Sequence, residues 1–262
     1  MRRVLTIARV VWLDTLRRKD LYVLLVLLGA LLVGLLMVDA FGLGGASGYA
    51  KELGLLMAWV LAWVLAVTIS ARELPREESR GTIYTLLARP LTRVELVAGK
   101  WLGAWSVTAA ATFTFYVLVA AVVSARGGTF QYSAFLQGYL LHVAALAIVC
   151  ALALLCSTRM NFDAATSVAL ALTAAAFLLL PRVPQLLVVA PLSQGTILLV
   201  LYYLLPHFEV FDLRQRMVHD WGPAPWGDAL AVVLYGALMT AVFLLLAWLA
   251  YRHKRFPRGD RV

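Results

Sequence analysis

The sequence predicts an all-α integral membrane protein of six transmembrane helices, and three observations predict it. Of its 262 residues 63% are hydrophobic and 14% charged, whereas a soluble domain carries about 25% charged residues; the mean hydropathy is +0.85. The apolar surplus is gathered into runs near or above the roughly 18 residues that read as a spanning helix. Lys and Arg fall on alternate connecting segments, as the positive-inside rule requires.

Residues 1–20 precede the first run. Val4, Leu5, Ala8, Val11, Trp12 and Leu16 recur at helical spacing, with Arg2, Arg3, Arg9, Arg17, Arg18 and Lys19 largely off that stripe. A basic amphipathic helix beside a span is expected in the headgroup layer on the cytoplasmic side. The first span, 21–40, has thirteen Leu or Val residues between Leu21 and Val38, and is longer than the apolar core of a secretory signal. Residues 53–71 supply the second span.

Residues 72–100 form the longest segment expected on the cytoplasmic side. Pro75 followed by Glu77 and Glu78 suits a helix start. A short helix is predicted from about Arg76 to Ala88, with Ile83, Leu86 and Leu87 as its apolar stripe and Pro90 as its end. Thr92 and Glu95 have the spacing of a capping box that starts the next helix, which runs through Gly99 and Lys100 into the third span, 101–125. Gly99 and Gly103 have small-xxx-small spacing, but at a membrane boundary they read as a flexible start to that span.

The fourth and fifth spans, 134–156 and 164–181, are joined by seven residues and so are antiparallel. His142 is the one ionisable group in the fourth span besides Cys150 and Cys156, and reads as a packing residue. The cysteines, six residues apart on a helix, point to different faces and suit neither a disulfide nor a shared metal. Residues 182–228 are expected outside the cell: Val183 to Pro206 is apolar but broken by Pro184, Pro191 and Gly195, with Ser193 as a cap, and reads as a helical excursion into the outer leaflet. Counting it as a span would put the basic C-terminal cluster outside. A polar stretch from His207 to Asp228 carries Trp221 and Trp226, suited to an interface. The last span is 229–251. Trp59 and Trp63, one turn apart in the second span, read as helix-packing residues.

With both termini inside, eighteen of the 23 Lys and Arg face the cytoplasm. That asymmetry accounts for the net charge of +9, and nucleic acid is not an expected partner. No phosphate-binding loop, zinc-protease or serine-hydrolase motif is present, so no catalytic or metal-binding residue is assigned. Apart from His142 and the two cysteines no ionisable side chain is expected well inside a span, which argues against ion-coupled transport.

The stretch from Arg72 and Glu73 through Glu77, Glu78, Gly81, Thr82, Leu86, Leu87, Arg89 and Pro90 to Gly99 and Lys100 resembles the cytoplasmic signature of type-2 ATP-binding-cassette permeases. Leu205 to Arg214, including Pro206, Phe208, Phe211, Asp212 and Arg214, is similar to the branch that includes the permease for nitrous-oxide reductase copper-site maturation. The resemblance implies a coupling helix between spans two and three that docks into a separate ATPase, with Glu77, Glu78, Gly81, Thr82, Leu86, Leu87, Arg89 and Pro90 as docking residues. It implies ATP and Mg on that partner and no cofactor on this chain. The lipid bilayer, a second permease subunit and an extracytoplasmic protein are the other expected partners, in a bacterial plasma membrane. An exporter is the expected function; a membrane scaffold that drives an extracytoplasmic partner without moving cargo is the alternative.

Overall fold

A computed structural model describes residues 2–37, 46–79, 92–187, 192–252 and 254. Ten α-helices and two short 3-10 turns make up the regular structure of these residues, and no strand occurs among them. The helices are α1 (Arg2–Leu16), α2 (Lys19–Met37), α3 (Ala46–Ser79), α4 (Arg93–Ala125), α5 (Tyr132–Ser157), α6 (Phe162–Leu179), α7 (Val183–Leu187), α8 (Leu192–Leu204), α9 (Arg214–Val218) and α10 (Trp226–Arg252).

Five of these stretches are long and apolar enough to cross a membrane: α3, α4, α5, α10, and α6 continued through a 3-10 turn and α7 to Leu187. The chain is thus an all-α, multi-pass membrane protein. The first predicted span is occupied by α2, a 19-residue helix about 28 Å long at the usual rise; residues 38–40 lie outside the described set. Its Leu28 is fully buried in the main apolar cluster.

The bundle is arranged around α5. Residues Ala145–Leu154 are all buried, and Ala145, Ala147, Ala151 and Ala153 let neighbouring backbones come close where water-driven burial is absent. Two tryptophans one turn apart on α4 clamp it. Trp101 and Trp105 stack with centroids 5.4 Å apart and donate to the α5 carbonyls of Ala147 and Val143 at 3.0 and 2.9 Å. Carbonyl oxygens have a second lone pair, so these bonds add to the helical ladder without replacing it.

Several expectations change in three dimensions. The amphipathic helix α1 is seated on α4, and its buried face is Ile7, Ala8, Val11 and Thr15; Leu5 and Leu16 of the predicted stripe are exposed. Gly99 and Gly103 are the seat, not a flexible start. A Cβ at Gly99 would stand 2.7 Å from Ile7 Cβ, and one at Gly103 2.6 Å from Val11 Cβ. Trp12 Nε1 completes the contact by donating to Ser106 Oγ at 2.7 Å.

No new helix begins at Pro75. Helix α3 runs through it to Ser79, although proline cannot donate to the carbonyl of Ala71. Glu77 and Glu78 therefore stand in the last turn of a long helix, where the dipole disfavours carboxylates, rather than in the first turn of a short one. The helical stretch that contains 164–181 continues through a 3-10 turn and α7 to Leu187, because Pro181 and Pro184 occupy first-turn positions of those two elements, where a missing N–H costs nothing. The excursion that follows ends in α8, whose 13 residues cover about 20 Å, too short for a hydrocarbon core of about 30 Å. It begins at Leu192, so Ser193 lies inside the helix and not at its cap.

Candidate functional site: a charged helix end and a packed outer segment

One end of the bundle is tied by charge. Of the three carboxylates in the final turns of α3, Glu73 and Glu77 face Lys100 on α4. Lys100 Nζ lies 2.9 Å from Glu73 Oε2 and 2.5 Å from Glu77 Oε1. Glu78, on another face, takes Lys254 at 2.7 Å, and the same ammonium donates to the carbonyl of Thr158 at 2.9 Å in the turn between α5 and α6. Arg76 pairs with Asp14 of α1, which also holds Arg18. The dipole penalty on the acidic pair is thereby offset by cations from α4 and from beyond α10.

Arg93 closes the remaining gap. In the first turn of α4, its Nη1 donates to the carbonyls of Tyr251 at 2.5 Å, Arg252 at 2.9 Å and Lys254 at 3.2 Å, satisfying orphan acceptors at the end of α10. The predicted capping box is present at the start of α4: Glu95 N donates to Thr92 Oγ1 at 3.2 Å and Thr92 N to Glu95 Oε2 at 2.9 Å. A small apolar core of Ile7, Leu74, Leu96, Val97, Leu154, Ala247 and Tyr251 lies beneath the charges. The end of α3 is thus fixed to α1, α4 and the residue after α10, and to the α5–α6 turn.

Of the eight residues assigned to docking, Glu77 and Glu78 are within this network. Gly81, Thr82, Leu86, Leu87, Arg89 and Pro90 lie outside the described residues, which resume at Thr92. Sequence marks Lys100 only as the end of the family-like stretch and Lys254 only as part of the basic C-terminal cluster, not as partners of the acidic side chains; an i, i+4 pairing of Glu73 with Glu77 on a helix continuing the second span is the signal that points to a shared cation.

At the opposite end, residues 206–225 are packed against the bundle rather than extended from it. Phe208 and Phe211 are fully buried in a 3-10 turn, with Pro206 buried ahead of them. Phe208 meets Trp63 edge-on at 4.7 Å. Phe211 fills the space above Gly236, where a Cβ would stand 3.1 Å from its ring. Asp212 accepts from Arg214 Nε and Nη2 at 2.9 and 2.7 Å, and the guanidinium carbon lies 5.2 and 5.9 Å from the ring centroids of Trp59 and Phe177. Further along, Met217 packs on Gly138, Lys51 Nζ reaches Asp220 at 2.7 Å, and Gln137 exchanges two hydrogen bonds with the backbone of Ala224 at 2.7 and 3.0 Å. Asp220 adopts φ 53° to make the turn. Trp221 and Trp226 are exposed.

Beneath this segment His142 is fully buried and stacks on Trp59 at 4.2 Å with an 8° interplanar angle. Trp59 and Trp63, with Phe177, line an apolar cavity of about 290 Å³ between α3 and α6, with Arg214 in its wall. Cys150 and Cys156 are both free thiols, and no group of three or more His, Cys, Asp or Glu that could hold a metal occurs among the described residues.

The arrangement defines a membrane-embedded helical component whose described charged contacts gather at its two ends. A comparison with protein families matches residues 5–258 to the ABC-2 family transporter proteins. The chain belongs to that family, and is a membrane permease of an ABC transporter, in general the non-catalytic membrane component. No curated protein matches it.

Proposed function

We propose that this permease is half of an ATP-driven exporter, powered by a separate ATPase that docks on residues 72–100. In this reading the charged end faces the cytoplasm of a bacterial cell, both termini are inside, and two permease subunits pair, each with one ATPase carrying ATP and Mg. The observation that supports it best is the continuity of α3. A push received at 80–91 enters a helix whose last two turns are bonded through Glu73, Glu77, Glu78 and Arg76 to α1, α4 and the end of α10. Such a joint moves as one rigid body instead of fraying. Leu86 and Leu87 supply the apolar contact in this reading, with Glu77, Glu78, Gly81, Thr82, Arg89 and Pro90 around it. Replacing Leu86 or Leu87 with Glu should abolish copurification with the cognate ATPase while membrane insertion is unchanged; a complex that survives with full ATPase stimulation would sink the assignment.

A second reading draws on the other end of α3. Lys51 bonds Asp220, and Trp59 lies under Arg214, so the helix that would receive the push also holds the outer segment. Motion of α3 could then be delivered to an extracytoplasmic partner with no cargo crossing. ATP-dependent movement of a candidate amphiphile in vesicles containing only permease and ATPase selects export; no transport, with ATP-dependent protection of residues 206–225, selects the scaffold.

A further inference from the structure

A cavity of about 620 Å³ opens beside the charged network, between the α1–α2 junction, the last turns of α3 and the start of α6. Its size is within the roughly 300–1,000 Å³ of small-molecule sites. Among the described residues Arg18, Lys19, Arg72 and Arg76 line it together with Asp163, and Asp14 lies behind Arg18 and Arg76. Basic side chains therefore outnumber acidic ones in the described wall. Arg72 lies over Phe162, its Cζ 4.4 Å from the ring centroid, while Lys19 is exposed and bonded to nothing among the described residues. Arginine forks with a lysine match the charge and multiple acceptors of a phosphate better than one carboxylate.

Position decides where that phosphate comes from. Lys19 stands two residues before the apolar run that starts at Leu21, Arg72 directly follows Ala71 at the end of another, and Asp163 directly precedes Ala164 at the start of a third. Three spans reach the edge of the hydrocarbon at this level, so the cavity opens where headgroups lie. A basic pocket between helices on that side suits a lipid headgroup.

We propose that this cavity binds the phosphate of an anionic phospholipid. It follows that the lipid ties α2 and α6 to the end of α3 that the proposed ATPase would push; the placement in the inner leaflet rests on the orientation argued under the proposed function.

The test uses the purified full chain in detergent, with dioleoyl phosphatidylglycerol, dioleoyl phosphatidylcholine and inorganic phosphate as probes and native mass spectrometry as the readout. The double variant Lys19→Gln, Arg72→Gln is compared with Arg2→Gln, Arg9→Gln, which removes the same charge from exposed positions of α1 outside the cavity. Phosphatidylglycerol should be retained over phosphatidylcholine, and the cavity variant should lose about thirtyfold in affinity, as expected for two Lys/Arg charges, with the α1 variant near wild type. Competition by millimolar inorganic phosphate that equals the lipid's affinity would keep the phosphate site but assign it a free anion. Equal losses in both variants, or equal retention of the two lipids, would overturn the proposal in favour of a diffuse surface field or an acidic protein contact. Retained lipid reads only the cavity and ATPase copurification only the docking segment, so either can fail alone.

Discussion

Lys100 and Glu73, 27 positions apart in sequence, meet at 2.9 Å with side chains only 5% and 4% exposed. Between them lie the end of α3 and the whole segment assigned to ATPase docking, so this pair closes the base of the proposed lever. Glu77 shares the same ammonium at 2.5 Å, so a single lysine bridges two carboxylates of α3.

Removing one partner of a buried ion pair leaves the other charge unbalanced, at a cost of about 3–5 kcal/mol. Lys100→Met should therefore lower the thermal midpoint of the purified permease sharply. Adding Glu73→Gln and Glu77→Gln to it should restore most of the loss, because the stranded carboxylates are then neutral. A single variant as stable as wild type would show that the pair does not hold α3 to α4.

The seat of α1 makes a steric prediction. Gly103→Leu places side-chain carbon where Val11 Cβ already lies 2.6 Å away, and overpacking of this kind costs about 1–3 kcal/mol. Trypsin should then cut α1 at Arg9 or Arg17 in the folded protein, whereas wild type resists. Gly29→Leu is the internal control, since among the described residues nothing lies within 4 Å of a Cβ there; cleavage of α1 in both variants, or in neither, would refute the seat.

How far these features could be read from sequence follows from what each depends on. The long apolar runs are legible because lipid leaves a backbone segment no option but to satisfy its own hydrogen bonds, so composition alone gives the all-α membrane class. The capping box at Thr92 and Glu95 is legible because it is closed within four residues. Pro75 misleads for the opposite reason. Its local preference is a helix start, yet Arg76, Glu77 and Glu78 each meet a distant partner on an α3 that continues through it. The glycines of α4 fail in the same way: spacing marks Gly99 and Gly103 as a close-approach site, but not that a helix some 90 residues earlier occupies it. Of the outer residues Pro206, Phe208, Phe211, Asp212 and Arg214, residue type suggests interest, while their burial against Trp63, Gly236 and Trp59 depends on where α3 and α10 stand.

The outer strap can be tested without disturbing the bundle. Lys51 is buried, while the side chain of Asp220 is 54% exposed, so the pair is partly screened and contributes on the order of 1 kcal/mol or less. Lys51→Met should speed amide exchange across 214–222 by about fivefold at low salt, the factor that such an energy allows, with no change in α10. High salt should bring wild type toward the variant. Unaltered exchange would mean that Phe208, Phe211 and Met217 hold the segment alone.

His142 gives the prediction with the least expected sign. Its ring is fully buried, stacked on Trp59 at 4.2 Å, and among the described residues neither ring nitrogen has a hydrogen-bond partner. A buried polar atom without a partner destabilises by about 1–3 kcal/mol, whereas Phe keeps a flat ring of similar width against Trp59 and has no polar atom to desolvate. His142→Phe should therefore leave the thermal midpoint of the purified permease unchanged or raise it, and His142→Ala should lower it by opening a cavity next to Trp59 and Tyr116. If the permease instead loses ATP-driven transport with His142→Phe while its melting temperature rises, the imidazole serves the transport cycle and not the packing. If the melting temperature falls, the ring nitrogens are bonded to something that stabilises the fold, and the reading of His142 as a packing residue is wrong.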